Sequence, residues 1–234
     1  MIVLIITAVR IKSMDSHRIS GRILAENIAG PGMMRLVEQS MQAQAQKTSV
    51  TEIAVKEWKH PQAALTFDDG PDIRYTPLLL DGLKERNVRV SFFLLGEKVE
   101  QYPELVERMQ KEGHLVGNHT YHHVQLNKLN ETKAREEILK TNNLIYETTG
   151  VYPLYLRPPF GAWKKNLELC VEMLPVFWTI DTLDWKVKNT EKIVRTVKEQ
   201  IEDGAIILMH DEYDTSVEAA LQVVDELKNQ GYEL

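Results

Sequence analysis

From about residue 60 to the end of the chain, short apolar runs alternate with longer stretches whose apolar positions recur at helical spacing. Runs of about four to eight apolar residues bounded by turn residues suit buried strands, and recurrence at three and four residues suits amphipathic helices. The pattern predicts strands over Ala63–Phe67, Val88–Leu95, Leu115–Gly117, Tyr155–Arg157, Val176–Ile180 and Ala205–Met209, and a last one beginning at Tyr232. Helices are predicted between them, over Pro77–Arg86, Pro103–Glu112, Glu131–Thr148, Glu191–Glu202 and Ser216–Gln230. Gly113, Gly150, Gly204 and Gly231 serve as stop signals. Such alternation implies an α/β fold of parallel strands with right-handed crossovers, either a barrel or an open doubly wound sheet. No Gly-x-Gly-x-x-Gly follows the first strand, so the dinucleotide-binding form lacks its fingerprint and a barrel is favoured.

The first 50 residues do not share this rhythm. Met1 to Val9 is an unbroken apolar run followed by Arg10 and Lys12. It falls short of the roughly 20 residues that span a bilayer, and it lacks the basic leader and small-residue cleavage site of a signal peptide. It suits either a buried first strand or the end of a membrane anchor that begins upstream. Residues 18–48 read as weak helix broken by Gly30-Pro31-Gly32, and a Gln/Ala/Lys-rich stretch then runs to Ser49. This divides the chain into an N-terminal apolar segment and arm (1–50) and a globular domain (51–234).

Composition narrows the partners. With 43% hydrophobic and 26% charged residues the chain is an ordinary folded protein, and its net charge of −6, with no Arg/Lys-rich run, argues against nucleic acid. Cys170 is the single cysteine, so a disulfide framework and a cysteine-based zinc knuckle are both excluded, and its apolar setting suits a packed thiol.

The chemistry-bearing residues collect where the predicted strands end. Asp68 and Asp69 follow the first strand, His119 to His123 the third, and Arg157 closes the fourth. Asp181 and Asp184 follow the fifth, and His210-Asp211 follows the sixth. In a parallel barrel all these ends lie on one face, where barrel active sites are built. Adjacent carboxylates in Asp68-Asp69 repel unless a cation or a proton relieves them. His119 and His123, four apart, would share a face over one helical turn, with His122 as the competing second imidazole. Two histidines and one Asp leave coordination positions open, as in catalytic metal sites, and suit zinc, with cobalt, nickel or manganese as alternatives. Arg157-Pro158-Pro159-Phe160-Gly161 sets a permanent cation on a stiff turn whose amides at Phe160 and Gly161 could face an oxyanion. Asp184-Trp185 suits a sugar-binding rim, and His210 suits a general acid tuned by a neighbouring carboxylate.

The ordered set Thr-Phe-Asp-Asp-Gly-Pro, His-Thr-x-x-His, Arg-Pro-Pro-Phe-Gly, Asp-x-x-Asp-Trp and Leu-x-His, from about residue 60 to the chain end, resembles the polysaccharide deacetylase (NodB-homology) family. The resemblance implies a distorted (β/α) barrel of about seven strands, with a metal site at the carboxyl ends of the strands. It also implies a metal-dependent N- or O-deacetylase acting on acetylated glycan. Matched position by position, it makes Asp69, His119 and His123 the metal ligands, Asp68 the base, Arg157 its orienting partner and His210 the acid held by Asp184. Leu208 and Trp185 would wall the acetyl pocket, and the Phe160 amide would face the oxyanion, with Phe160 standing where the family often has Tyr. The expected substrate is N-acetylglucosamine-containing peptidoglycan or chitin-like oligomers. Acetylated xylan and a non-catalytic carbohydrate-binding barrel are the alternatives. A glycan substrate of that kind implies an extracellular or cell-surface location.

Overall fold

A computed structural model of the chain describes residues 59–163 and 173–234. The expectations for the N-terminal segment, the arm and Cys170 lie outside the described residues. In chain order the elements are β1 (Ala63–Asp68), α1 (Thr76–Glu85), β2 (Ser91–Leu94), α2 (Gly96–Gln101), α3 (Pro103–Lys111), β3 (Leu115–Asn118), α4 (Glu131–Thr149), β4 (Tyr155–Leu156), β5 (Leu174–Pro175), β6 (Ile180–Asp181), α5 (Asp184–Val187), α6 (Thr190–Gln200), β7 (Ala205–His210) and α7 (Asp214–Asn229). Short 3₁₀ turns cover Leu126–Lys128 and Pro159–Gly161. The helices start where local chemistry allows. Pro77 sits in the first turn of α1 and Pro103 opens α3, while Asn130 and Asn189 cap α4 and α6 by accepting from the amides of Lys133 and Lys192, each at 2.9 Å.

The seven strands pair in the order β5-β4-β3-β2-β1-β7-β6, every pair parallel. Among the described residues the sheet curls into a barrel with no ladder between β5 and β6, a distorted (β/α) barrel. Period-two alternation sorts the side chains. Leu65 and Phe67 of β1, Phe92 and Leu94 of β2, Val116 of β3, and Ile207 and Met209 of β7 join one core with the helices, through Leu79, Leu83, Val106, Met109, Ile145, Val197, Val223 and Leu227. The alternate positions Thr66, Asp68, Phe93, Gly117, Leu208 and His210 are absent from that core. Of these, Thr66, Asp68 and Phe93 meet Arg157 instead. A Cβ on Gly117 would lie 2.7 Å from the Phe93 ring and 3.1 Å from the Tyr155 carbonyl, so this position requires glycine.

Three expected strands change. Val88–Leu95 shortens to β2 because the Val88 amide closes onto the Leu83 carbonyl (3.1 Å), the Val90 amide donates to the His114 ring (3.1 Å) and Leu95 caps α2. Val176–Ile180 is not one strand. Leu174–Pro175 pairs with β4, Ile180–Asp181 pairs with β7, and the residues between them cross the open seam. The strand expected at Tyr232 contracts to a single parallel bridge of Glu233 with Gln62. Helices α2 and α5, six and four residues long, are too short to display an apolar period.

Ile207, fully buried at the centre of β7, and Leu78, 56% exposed on α1, test this layering. Ile207→Ala should lower unfolding free energy by about 2–5 kcal/mol, and Leu78→Ala should change it by no more than about 0.5 kcal/mol. Urea denaturation midpoints measure both, and equal shifts would contradict the layering.

Candidate active site

The register of the central strands assembles the site. Asp68 pairs with His210 across β1 and β7, Asp68 with Phe93 across β1 and β2, and Leu94 with Asn118 across β2 and β3. Asn118 in turn pairs with Leu156 of β4. Asp69, His119 and Arg157 therefore each stand one residue past a strand end, on the same rim.

Asp68 and Asp69 are adjacent in sequence but differ in backbone. Asp68 belongs to β1, whereas Asp69 is left-handed (φ 69°), which swings its carboxylate away from the strand direction. Asp69 Oδ1 lies 3.4 Å from Nε2 of His119 and 3.4 Å from Nε2 of His123, and its Oδ2 is 3.8 Å from Nε2 of His210. One ligand atom from each of Asp69, His119 and His123 falls within 4.8 Å of the others.

Three observations bear on whether these groups fit a metal. Asp69 Oδ1 is buried and has no hydrogen-bond partner. His119 Nδ1 donates to the Arg157 carbonyl (2.6 Å), which fixes the tautomer and turns the Nε2 lone pair toward Asp69. Ligand atoms 3.4 Å apart match the edge of about 3.3–3.4 Å of a tetrahedron with ligand distances of about 2.0–2.1 Å. Burial also pushes His119 down to about 3, so its imidazole is neutral, as a ligand must be. The three residues fit a divalent cation.

The two histidines do not converge through a helical turn, as their spacing suggested. Residues 119–123 form a loop in which Thr120 (φ 68°) and His123 (φ 55°) are both left-handed, and this carries His119 and His123 to the same point. The ring of His123 rests on the exposed ring of Phe160, with centroids 4.5 Å apart. The competing imidazole, His122, is exposed and engages Glu137 at 2.8 Å.

Asp68 Oδ2 also lies 3.7 Å from Nε2 of His119, but its Oδ1 is held by a different partner. Arg157, fully buried, donates from Nη1 to Asp68 Oδ1 (2.8 Å) and to Thr66 Oγ1 (2.7 Å), and its guanidinium stacks 4.2 Å from the centre of the Phe93 ring. Its remaining nitrogens reach the carbonyls of Val176 (3.4 Å) and Phe177 (3.5 Å), in the seam between β5 and β6. Burial pushes the Asp68 carboxyl up, and the Arg157 charge and hydrogen bond pull it part of the way back.

His210 is held by both oxygens of Asp184. Its amide donates to Oδ2 and its Nδ1 to Oδ1, each at 2.8 Å, and Asp184 is wholly buried at the start of α5. Burial opposes a charge on this imidazole, but the Asp184 hydrogen bond and charge, with the charges of Asp69 and Asp68, outweigh it and push His210 up to about 9.

The other expected site residues take the following places. Leu208 is buried on β7, two residues before His210 on the same face, and Trp185 is half-exposed beside Asp184. Phe160 is left-handed (φ 59°) in the turn after Arg157. The Gly161 amide, one of two candidates for an oxyanion, is already given to the Pro158 carbonyl (3.0 Å). Asp181 serves as a local turn brace, accepting from the Leu183 amide (2.9 Å). Glu137 escaped the sequence reading, and Thr66 and Asp211 fell within its motifs without a role of their own. Thr66 lies two residues before Asp68, so strand alternation could have found it, whereas nothing near Glu137 in sequence points to the loop it holds. Asp211 is buried against the Gly70 turn, accepts from the Thr76 hydroxyl, and is pushed up to about 7 by burial.

Fold and rim together make a parallel half-barrel in which two histidines and one carboxylate that fit a divalent cation lie beside a buried Asp–His pair. Residues 56–177 match the polysaccharide deacetylase family model, and the chain belongs to that family. A peptidoglycan-N-acetylglucosamine deacetylase of Bacillus cereus is 41% identical over 177 residues, covering 73% of this chain and 64% of that protein. One from Listeria monocytogenes is 42% identical over 170 residues, covering 73% of this chain but 36% of that protein. The chain thus aligns with less than two thirds of the length of either relative. The solved structure of peptidoglycan deacetylase PdaC from Bacillus subtilis superposes with a TM-score of 0.73 at 40% identity, over 75% of this chain and 87% of that one.

The His210–Asp184 geometry carries a titration prediction. A folded pKa above the ordinary 6.5 stabilises the fold in full below pH 6.5, and that contribution is lost as pH rises through about 9. NMR of the His210 ring in metal-free protein should give a midpoint well above 6.5. Asp184→Asn, which leaves the burial and removes the charge, should bring the midpoint to 6.5 or lower. An unchanged midpoint in that variant would contradict the pairing.

Proposed function

We propose that this chain is a metal-dependent deacetylase that hydrolyses N-acetyl groups on N-acetylglucosamine units of peptidoglycan or chitin-like glycan, with zinc as the favoured ion. The observation that carries this reading is the division of two adjacent carboxylates, Asp69 Oδ1 toward two imidazoles and Asp68 Oδ1 toward Arg157, with His210 Nε2 3.8 Å from the other oxygen of Asp69. The relatives named for peptidoglycan deacetylation support the substrate class. They also support action at the cell wall, outside or on the surface of the cell. Residues 51–234 would form the catalytic domain and 1–50 an arm, consistent with a family match that begins at residue 56.

An amide carbonyl is a poor electrophile and its amine a poor leaving group. A divalent ion held by Asp69, His119 and His123 would supply Lewis acidity and lower the pKa of a water. Asp68 is the base that accepts the water proton as its oxygen bonds to the carbonyl carbon. Arg157 fixes the Asp68 carboxyl, and burial raises its basicity. The Phe160 amide faces the developing oxyanion, a donor of a kind typically worth about 3–4 kcal/mol. His210, protonated at neutral pH through Asp184, gives its proton to the nitrogen as the C–N bond breaks, and acetate and a free amine result. Leu208 and Trp185 wall the space for the acetyl methyl group.

Zinc- or cobalt-loaded protein should release acetate from peptidoglycan or chitooligosaccharides, and His210→Asn should lower kcat by about 10²–10⁴-fold. Parallel assays on those glycans and on acetylated xylan check this. Acetate from xylan alone would overturn the N-acetyl assignment, and no acetate from any of them would overturn the enzymatic reading.

A further inference from the structure

The loop carrying His119 and His123 is neither strand nor helix, so its backbone groups must find partners elsewhere. Its carbonyls are taken by the start of α2, where the amide of Gly96 donates to Thr120 (2.9 Å) and that of Glu97 to Tyr121 (3.3 Å). The Thr120 amide donates to Asn118 Oδ1 (2.6 Å). The next two amides, those of Tyr121 and His122, converge on one atom, Oε2 of Glu137, at 3.1 and 2.9 Å, and Oε1 of the same carboxylate meets His122 Nδ1 at 2.8 Å.

These two amides lie between the left-handed residues Thr120 and His123. Non-glycine residues in that region cost energy and persist only where surrounding contacts over-determine them. Glu137 is well placed to do so. It projects from the middle of the 19-residue α4. That helix is itself tied to the end of β3, because Asn118 Nδ2 donates to the Ile138 carbonyl (2.9 Å) and to Asn142 Oδ1 (2.7 Å). A carboxylate accepting two backbone amides makes charge-assisted bonds, stronger than neutral ones.

We propose that Glu137 is a positioning residue for the metal site, clamping the Tyr121 and His122 amides so that His119 and His123 are pre-set at ligand distance from Asp69. His122, the third imidazole of the cluster, is then a brace on that carboxylate rather than a ligand. The inference rests on the ligand assignment proposed above and adds to it a residue that touches neither ion nor substrate. The side chain of Glu137 is 15% exposed at the helix surface, so its replacement removes the clamp without emptying the core.

Two readouts test it. The first is zinc affinity by competition with a chelating indicator. Glu137→Ala should bind at least about tenfold more weakly than wild type, and Glu137→Gln, whose amide oxygen can still accept, within about threefold of it. His122→Ala should also stay within about threefold, since it loses only an exposed pair, whereas His123→Ala should lose the ion. The second is hydrogen exchange of the Tyr121 and His122 amides in metal-free protein, which should speed up in Glu137→Ala and stay slow in Glu137→Gln. Wild-type affinity or unchanged exchange in Glu137→Ala would overturn the clamp, as would a Gln variant as weak as the Ala one. A wild-type protein that binds no zinc would instead overturn the ligand assignment, while the exchange measurement would still decide whether Glu137 holds the loop.

Discussion

The ion pair between Arg157 and Asp68 is the constraint on which the rest of the site depends. Both groups are withdrawn from water, Arg157 completely and Asp68 to 3% exposure. Burying two charges costs several kcal/mol per ion, recovered only where the geometry is good and the remaining donors are satisfied. Arg157 meets that condition by spreading its nitrogens over Asp68, Thr66 and two carbonyls of the open seam, with its flat face against Phe93. One side chain thus neutralises a carboxylate and fills the gap that the sheet does not close with a ladder.

A second pair of opposite polarity mirrors it. In Arg157–Asp68 a permanent cation holds a carboxylate that can take up a proton. In Asp184–His210 a buried carboxylate holds an imidazole that can give one up. In both, a charged partner orients the other group, and burial and neighbouring charges push Asp68 and His210 above their ordinary values. Asp69, between them, has no such partner and a bare buried oxygen, which leaves it free for a cation.

Much of this could be read from the chain itself, because the fold and the site share one periodicity. Strand ends are legible as apolar runs that stop at Asp68, Asn118, Arg157 and His210, and parallel alternation puts such ends on one rim. The seam was hidden, since Val176–Ile180 has the composition of a single strand and divides only because Val176 bonds to β4 and Ile180 pairs with β7, near opposite edges of the sheet. The spacing of His119 and His123 pointed to a pair that does converge, but left-handed backbone at Thr120 and His123 brings the two together where a helical turn was expected. Glu137 lies 14 residues beyond His123, and only the packing of α4 against β3 brings it to the loop. Partners made by tertiary packing leave no local trace in sequence.

In the proposed mechanism the adjacent carboxylates divide their labour, Asp69 binding the ion and Asp68 moving the proton. Zinc affinity and acetate release measured together on Asp68→Asn and Asp69→Asn test this most directly, because Asn at position 68 keeps an acceptor for Arg157. Asp68→Asn should retain one zinc ion while turnover falls by about 10² or more, and Asp69→Asn should lose both. Loss of the ion from Asp68→Asn, or its retention with full activity in Asp69→Asn, would contradict the division.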